Sequence, residues 1–423
     1  MSAARTAVVI LTKDGEEHLA RGLDAVLSQR PPRGDFDVVL VDNGSARPVS
    51  GPVPSHPRLR VLRSERNLGF SGGVRLAVEA VGAEILVLLN DDAVAEPDAI
   101  ASLVDALETA PPDVAAAAAM LTDPSGERVD FVEGVVTFDG HALQRGFGRP
   151  VAAARVGTAG DPRLFACGGF CAVRRRLFEA LGGFDTDFFA YLEDVDFGWR
   201  ATLAGHPTLF VPEARARHLS GATGRRLGMT QRGVLIEANA FATAFKNLAD
   251  ETLRALLPAI LAAFQHRAFR GLVDHQDGAG QALADPFSRR PPWKPRSDSP
   301  REAAPSRRQA VVHWLSRLAG VSPPRTPLAP GPGQPLYVED ERSRMWLVAW
   351  NRIVSSWPLL AEKRRRVQSL RRVPDSEILE RYPLHLVPTY PGDAELFGSE
   401  FFRGLLPDAP RLRTATLEEI ARG

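Results

Sequence analysis

The chain has 423 residues, enough for one large domain with an extension or for two domains. Hydrophobic residues make up 44% and charged residues 24%, the proportions of a soluble globular protein. A formal net charge of +1 excludes a whole-protein polyanion binder, so no nucleic-acid partner is expected. Neutrality hides an asymmetry. Phe241 to Gly423 holds 27 Lys/Arg against 20 Asp/Glu, which leaves about −6 on the first 240 residues. An acidic half suits metal or sugar chemistry, and a basic half suits an anionic surface such as lipid headgroups.

Ala7 to Leu11 (AVVIL) is a short apolar run that reads as a buried parallel strand. Glu16 to Gln29 carries Leu19, Leu23, Val26 and Leu27 at helical spacing. Asp37 to Val41 is a second buried strand and ends in the turn signature Asp42-Asn43-Gly44-Ser45. Leu59 to Leu62 is a third. The glycine-rich Asn67 to Gly73 leads into a helix over Ser71 to Val81. Glu84 to Leu89 is a fourth strand with Asn90-Asp91-Asp92 at its carboxyl end, and Pro97 opens a helix running to about Thr109. This alternation predicts an open, mostly parallel α/β sheet. Ligands bind such sheets beyond the carboxyl ends of the strands, where Thr12, Asp42 and Asp92 fall.

Val114 to Leu121 and Gly134 to Gly146 read as irregular strands, and Leu164 to Val173 as an apolar stretch. Arg175 to Leu181 is a short helix ended by Gly182-Gly183. Phe184 to Ala204 holds an aromatic and acidic cluster and then a helix. Thr208 to Val211 is a last strand, with His218 shortly after. Beyond residue 230 the pattern becomes helical: Val234 to Asn247, Leu253 to Arg270, and Met345 to Leu370 with an interruption near Pro358. Residues 285–335, rich in Pro, Arg and Ser, read as linker. The expected division is a domain over residues 1–225 and a helical extension over 226–423. Cys167 and Cys171 read as buried thiols of a reducing compartment. No secretory leader and no stretch of about 18 apolar residues is visible, which points to a cytoplasmic chain.

Three groups of residues could carry chemistry. Asn90, Asp91 and Asp92 could hold a hard divalent cation through oxygen, or could be an ordinary turn. Glu193 and Asp194 could be favourable charges on a helix first turn. They could equally supply a general base, since carboxylates crowded together have raised pKa values. Near them Phe188, Phe189, Tyr191 and Trp199 could form a wall for stacking a sugar ring. His218 gains interest only as a third group near the cation or a diphosphate. The loop Asn67 to Gly73 could meet phosphate through backbone amides. It lacks the spacings of dinucleotide-binding and P-loop motifs.

Taken together these segments resemble the family 2 glycosyltransferases, inverting enzymes with the GT-A fold. The matching pieces are AVVILT (Ala7 to Thr12), VLVDNGS (Val39 to Ser45), NLGFSGG (Asn67 to Gly73), VLLNDDA (Val87 to Ala93), GGFCAVR (Gly168 to Arg174), GGFD (Gly182 to Asp185), FAYLEDVDFGWR (Phe189 to Arg200) and VPEARARH (Val211 to His218). They stand in the family's order and cover residues 6–221. The flavour is that of the rhamnosyltransferase-like branch that builds cell-surface polysaccharide.

The resemblance implies a Rossmann-like GT-A sheet and a nucleotide-diphosphate sugar donor, thymidine-diphospho-rhamnose being the leading guess. It also implies a saccharide or polyprenyl-linked acceptor and a divalent cation, Mg2+ or Mn2+. Thr12, Asp42, Asn67, Gly69 and Gly73 would line the nucleotide pocket. Asn90 and Asp92 stand at the family's Asp-x-Asp, Asn being a departure, with Asp91 supporting the turn between them. Asp194, beside Glu193, matches the catalytic base. Gly168 and Gly169 would border the acceptor, and His218 would approach the metal or the diphosphate. Lys13-Asp14 replaces the more familiar Tyr-Asn, and Val74-Arg75 the common Asn-Asn. The basic stretch Lys363 to Arg372, with apolar helix faces, suggests peripheral contact with the inner face of the cell membrane. A nucleotidyltransferase would want a basic, glycine-rich loop after the first strand, which Thr12 to Glu17 is not. A non-catalytic nucleotide-sugar-binding protein would have no need of both Asp92 and Asp194.

Overall fold

The apolar run at the N-terminus becomes strand β1 (Thr6–Thr12) in the computed structural model, which describes residues 5–30, 35–49, 53–219, 228–273, 341–407 and 412–422. All but one residue in each of β1, β2 (Phe36–Asn43) and β4 (Ile85–Asn90) is buried, because helices cover both faces of the sheet. With β3 (Leu59–Ser64) these strands run parallel in the order β3-β2-β1-β4. Helices α1 (Glu16–Leu27), α2 (Gly69–Ala80) and α3 (Ala99–Thr109) form the crossovers. The register pairs Thr12 with Asp42 and Leu11 with Asn90, so the polar strand ends stand side by side at one edge.

Beyond β4 the sheet is mixed. Strand β5 (Ala93–Ala95) is short. Strand β6 (Ala116–Thr122) carries β7 (Val129–Phe131) on one flank, and a hairpin of β8 (Glu133–Val136) and β9 (Ala142–Arg145) follows. After β10 (Pro162–Arg163), strand β11 (Phe170–Arg174) runs antiparallel between β4 and β6. Two helices, α4 (Arg175–Ala180) and α5 (Glu193–Leu203), precede β12 (Thr208–His218). Here the structure corrects the sequence reading. Pro212-Glu213 does not end the last strand, because a bulge between Val211 and Arg215 absorbs those residues and the strand resumes. His218 is therefore the end of a strand and pairs with Ala93 of β5, next to Asp92.

The extension packs onto this sheet through the helices Met229–Asn247, Asp250–Val273, Glu341–Ser355 and Trp357–Ser369, in one continuous hydrophobic core with it. The Pro/Arg/Ser-rich stretch 285–335 and Ser220-Gly221 lie outside the described residues.

Two buried charge clusters seal the join. In the first, Lys246 meets Asp185 at 2.7 Å and Asp196 at 3.0 Å, while Arg200 Nε meets Asp196 at 3.0 Å. Lys363 closes on Asp185 and on Asp187 at 2.5 Å. Burial opposes the charge on Asp185, but the two lysines outweigh it and hold the carboxyl well below the usual range. Arg364 turns inward to Asp250 and the carbonyls of Phe245 and Leu248, and Arg371 to Asp375. The basic stretch is thus partly internal: three of its six cations brace the fold, while Arg365, Arg366 and Arg372 are exposed.

In the second cluster His141 lies between Asp139 at 3.2 Å and Glu237 at 3.1 Å. Arg267 bridges Asp139 at 2.7 Å and Asp393 at 2.9 Å. Burial disfavours the imidazolium, yet Glu237 and Asp139 push His141 up to about 10. A folded-state pKa above the unfolded value near 6.5 stabilises the fold fully below that value. The stabilisation fades as pH rises through about 10. The expected outcome is a gap in unfolding free energy between the protein and His141→Gln that is largest below about pH 6.5 and shrinks steadily toward pH 10. Urea unfolding across that range measures it, and a gap that widens with pH contradicts the assignment.

Candidate active site

The edge formed by Thr12, Asp42 and Asn90 is rigid because its polar groups bond one another. Thr12 Oγ1 donates to Asp91 Oδ2 at 2.6 Å, and no Cβ fits at Gly15, where it would lie 2.4 Å from both atoms. Asp42 accepts the Ser45 amide at 3.0 Å and the Val49 amide at 3.4 Å, and pairs with Arg63. Burial works to raise its pKa; those bonds outweigh it and keep the carboxyl below the usual range. Asn43 accepts from the Leu68 amide at 2.9 Å and donates to the Gly69 carbonyl at 2.9 Å, which clips the Asn67 to Gly73 loop to the end of β2. Asn67 accepts from the Gly69 amide at 3.0 Å.

Gly69 has φ +72°, a conformation costly for any residue with a Cβ. A Cβ there would also lie 2.4 Å from the Phe189 ring. The loop before α5 presses onto it, and the Ser71 amide donates to the Phe189 carbonyl at 3.1 Å. Gly73 instead lets α2 approach β1, a Cβ meeting Leu11 at 2.4 Å, so it backs the pocket and does not line it.

At the other side of the edge His218 Nε2 lies 3.1 Å from Asp92 Oδ1 and 3.3 Å from Asn90 Nδ2. Its Nδ1 bonds Asp130 Oδ2 at 2.7 Å. Burial disfavours the charged ring, but the bonds to Asp130 and Asp92 push His218 up to about 9. The three residues expected to hold a cation are therefore together. Asp130, on β7, is a member that the sequence reading misses: a single acid in the strand Val129–Phe131 carries no motif.

Gly168 and Gly169 join this group to α5. The Asn90 amide donates to the Gly169 carbonyl at 3.0 Å, and the Gly168 amide donates to Asp194 Oδ2 at 2.9 Å. Asp194 and the Asn90–Asp92 turn are thereby linked through one glycine pair. Asp194 remains partly exposed, and burial raises its carboxyl against the amides of Gly168 and Val195. Glu193 is sealed in. Its Oε2 has no hydrogen-bond partner, and burial together with Asp194 pushes its pKa well up. Glu193 cannot meet a substrate directly, which corrects its place beside Asp194 as a reacting group.

Two further expectations need correction. Trp199 is 1% exposed and belongs to the core, since its position on α5 faces inward with Val195, so it forms no sugar wall. Thr12 directs its hydroxyl into Asp91, so the side chain is scaffold. Tyr191 stays half-buried beneath the Arg232 guanidinium, 5.5 Å from its ring.

A strand edge with a glycine-rich loop, an acidic turn and a partly exposed carboxylate bonded to it through Gly168 and Gly169 is the arrangement of a GT-A glycosyltransferase. Residues 7–182 match the family model Glycosyl transferase family 2, and the chain carries a family 2 glycosyltransferase domain. It is 28% identical over 242 residues to the N-acetylglucosaminyl-diphospho-decaprenol L-rhamnosyltransferase of Mycobacterium tuberculosis, covering 52% of this chain and 77% of that one. It is also 28% identical over 229 residues to the O-antigen biosynthesis protein RfbC of Myxococcus xanthus, 52% of this chain but 18% of that protein. Among solved structures, GalNAc-T7 with UDP, GalNAc and Mn2+ superposes with a TM-score of 0.48 at 17% identity, over 62% of this chain and 52% of that one.

The glycine contacts yield a direct comparison. Gly205 has φ +84° with nothing within 4 Å of an added Cβ, so Gly205→Ala introduces backbone strain alone, about 1–2 kcal/mol. Gly69→Ala adds displacement of Phe189. It is expected to destabilise further and to weaken nucleotide binding at least several-fold, whereas Gly205→Ala leaves binding unchanged. Thermal unfolding and calorimetric titration of nucleoside diphosphates measure both.

Proposed function

We propose that the protein transfers a sugar from a nucleotide-diphosphate donor to a hydroxyl of a saccharide or polyprenyl-linked acceptor, with inversion at the anomeric carbon. The observation that carries this reading is the bridge of Gly168 and Gly169, which ties the Asp194 carboxylate to the Asn90–Asp92 turn. Asp194 takes the proton of the acceptor hydroxyl; its raised pKa improves it as a proton acceptor. The acceptor oxygen attacks the anomeric carbon as the bond to the diphosphate breaks on the opposite face. Asp42, Asn67 and Gly69 hold the nucleotide end, and Gly168 and Gly169 border the acceptor. Residues 1–225 form the catalytic domain and 226–423 its extension.

The strand-end residues fit a divalent cation, Mg2+ or Mn2+. Asp130 holds the Nδ1 proton of His218, as the carboxylate partner of a ligating histidine does, and Nε2 would become a ligand on giving up the proton it shares with Asp92 Oδ1. Among the described residues no group of three or more His, Cys, Asp or Glu could enclose a metal. Asp92, His218 and the Asn90 side chain would hold the ion. When bound, it supplies charge neutralisation at the leaving diphosphate.

The mycobacterial relative supports rhamnose as the sugar moved and a lipid-linked acceptor, and RfbC supports a role in cell-surface polysaccharide synthesis. A lipid-linked acceptor would bring the protein to a membrane surface. Among the described residues no helix is long and apolar enough to cross a membrane. Leu347, Trp350 and Val354, at helical spacing on Glu341–Ser355, are exposed together with Trp357 and Leu359. This apolar face supports shallow docking on lipid.

Two measurements test these readings. Asp194→Asn is expected to lower turnover roughly 10²–10⁴-fold with donor affinity retained; EDTA should abolish turnover of the parent protein and Mn2+ restore it. Turnover of Asp194→Asn near the parent's would remove the base. In co-sedimentation with vesicles of mixed phosphatidylglycerol and phosphatidylcholine, binding should fall on replacing Trp350 and Trp357 by Ser. Equal sedimentation with and without vesicles would remove the docking face.

A further inference from the structure

The segment leading into the base is held in an unusual backbone conformation. Phe189, Tyr191 and Leu192 have φ of +64°, +72° and +66°, and Glu193-Asp194 follow at once. Left-handed conformations at bulky residues persist only where surrounding structure imposes them, and they concentrate at functional sites. Here the imposing group comes from the extension. Asn239, 2% exposed on the helix Met229–Asn247, points its amide nitrogen at three loop carbonyls: Phe188 at 3.0 Å, Ala190 at 3.0 Å and Tyr191 at 2.8 Å. Carbonyls only accept, so the atom facing them is the nitrogen. A backbone turned left-handed aims nearby carbonyls inward, and without a buried donor they would be unpaired.

Asn239 does not act alone. Arg232, Asn239 and Lys246 recur every seven residues and so share one stripe of the helix. That stripe runs along the loop in the opposite direction. Lys246 meets Asp185 at 2.7 Å and the Phe188 ring at 4.4 Å, Asn239 meets 188–191, and Arg232 lies over Tyr191. From the other side the loop bears on the nucleotide-side glycine, through the Phe189 ring against Gly69 and the Phe189 carbonyl on Ser71.

We propose that Asn239 is a positioning residue: it fixes the loop 188–192, and through it the place of Asp194, so that the extension completes the active site from behind. This rests on the reading of Asp194 as the base. Loss of the amide lets the loop relax toward ordinary φ values and moves the carboxylate, without touching the nucleotide loop's own clip at Asn43.

The test compares full-length Asn239→Ala, Asn239→Asp, Asn239→Leu and Asp194→Asn with the parent protein. Asn239→Asp keeps the size and removes both N–H donors, and Asn239→Leu removes them without burying a charge, so the leucine variant stands in where the others fail to fold. Hydrogen exchange at the amides of 188–195 should speed up, while the β1, β2 and β4 amides keep their protection. Turnover should fall roughly ten- to hundredfold with the donor KM within about threefold of the parent. Unchanged exchange at 188–195, or faster exchange with full turnover, overturns the proposal. The two readings fail differently. Slow Asn239 variants beside a fully active Asp194→Asn would remove the base and leave the clamp, whereas an inactive Asp194→Asn beside fully active Asn239 variants would remove the clamp and leave the base.

Discussion

The bonds at Gly168 and Gly169 govern the rest of the molecule's chemistry. One amide grips Asp194, and the neighbouring carbonyl takes the amide of Asn90. A carboxylate on α5 and a turn after β4, about a hundred residues apart in the chain, are thereby held at the fixed separation of one dipeptide. This works because β11 runs antiparallel beside β4 and brings residues 168–169 to the carboxyl end of that strand. Side chains there would intrude. A Cβ at Gly168 would lie 3.1 Å from the Phe70 ring, and one at Gly169 3.3 Å from Leu121. The absence of side chains leaves the backbone as the only bonding group at the junction, and backbone bonds are stiffer than those of long side chains.

Much of this is legible in the sequence. The parallel half of the sheet follows from four short apolar runs ending in polar residues, because strands buried on both faces need no alternation. Asp92, Asn90, His218 and Asp194 can be named because each stands in a short pattern. What escapes a sequence reading lacks any local pattern. Asp130 looks like one polar residue in a strand, and only the pairing of β7 with β6 brings it to His218. Trp199 misleads for the converse reason. Aromatic residues near an acidic motif suit a sugar wall and a core equally, and helical phase decides between them. The end of β12 misleads because proline normally stops an interior strand, whereas a bulge tolerates it. The polar stripe of Arg232, Asn239 and Lys246 is visible as spacing but has meaning only once its left-handed partner loop is known.

The charge asymmetry also acquires a physical cause. Basic residues beyond residue 240 neutralise acids of the sheet-bearing part of the chain: Lys246 and Lys363 face Asp185, Lys246 faces Asp196, and Arg267 faces Asp139. A buried carboxylate without such a partner would protonate or unfold the site. The chain thus divides its acids into two sets. Those that hold the extension in place are paired with Lys or Arg. Among the described residues Glu193 and Asp194 form no ion pair with Lys or Arg, and Asp194 is held by the backbone amides of Gly168 and Val195. At Asp194 burial outweighs those amides and raises the carboxyl, whereas at Asp185 two lysines outweigh burial and lower it. Asp196, two residues beyond Asp194 on the same helix, shows the contrast: it meets Lys246, Arg200 and Asn247, and its task is to anchor α5. Alternation of paired and cation-free acids along a single helix lets one surface of α5 bind the extension while its first turn keeps a carboxylate able to accept a proton.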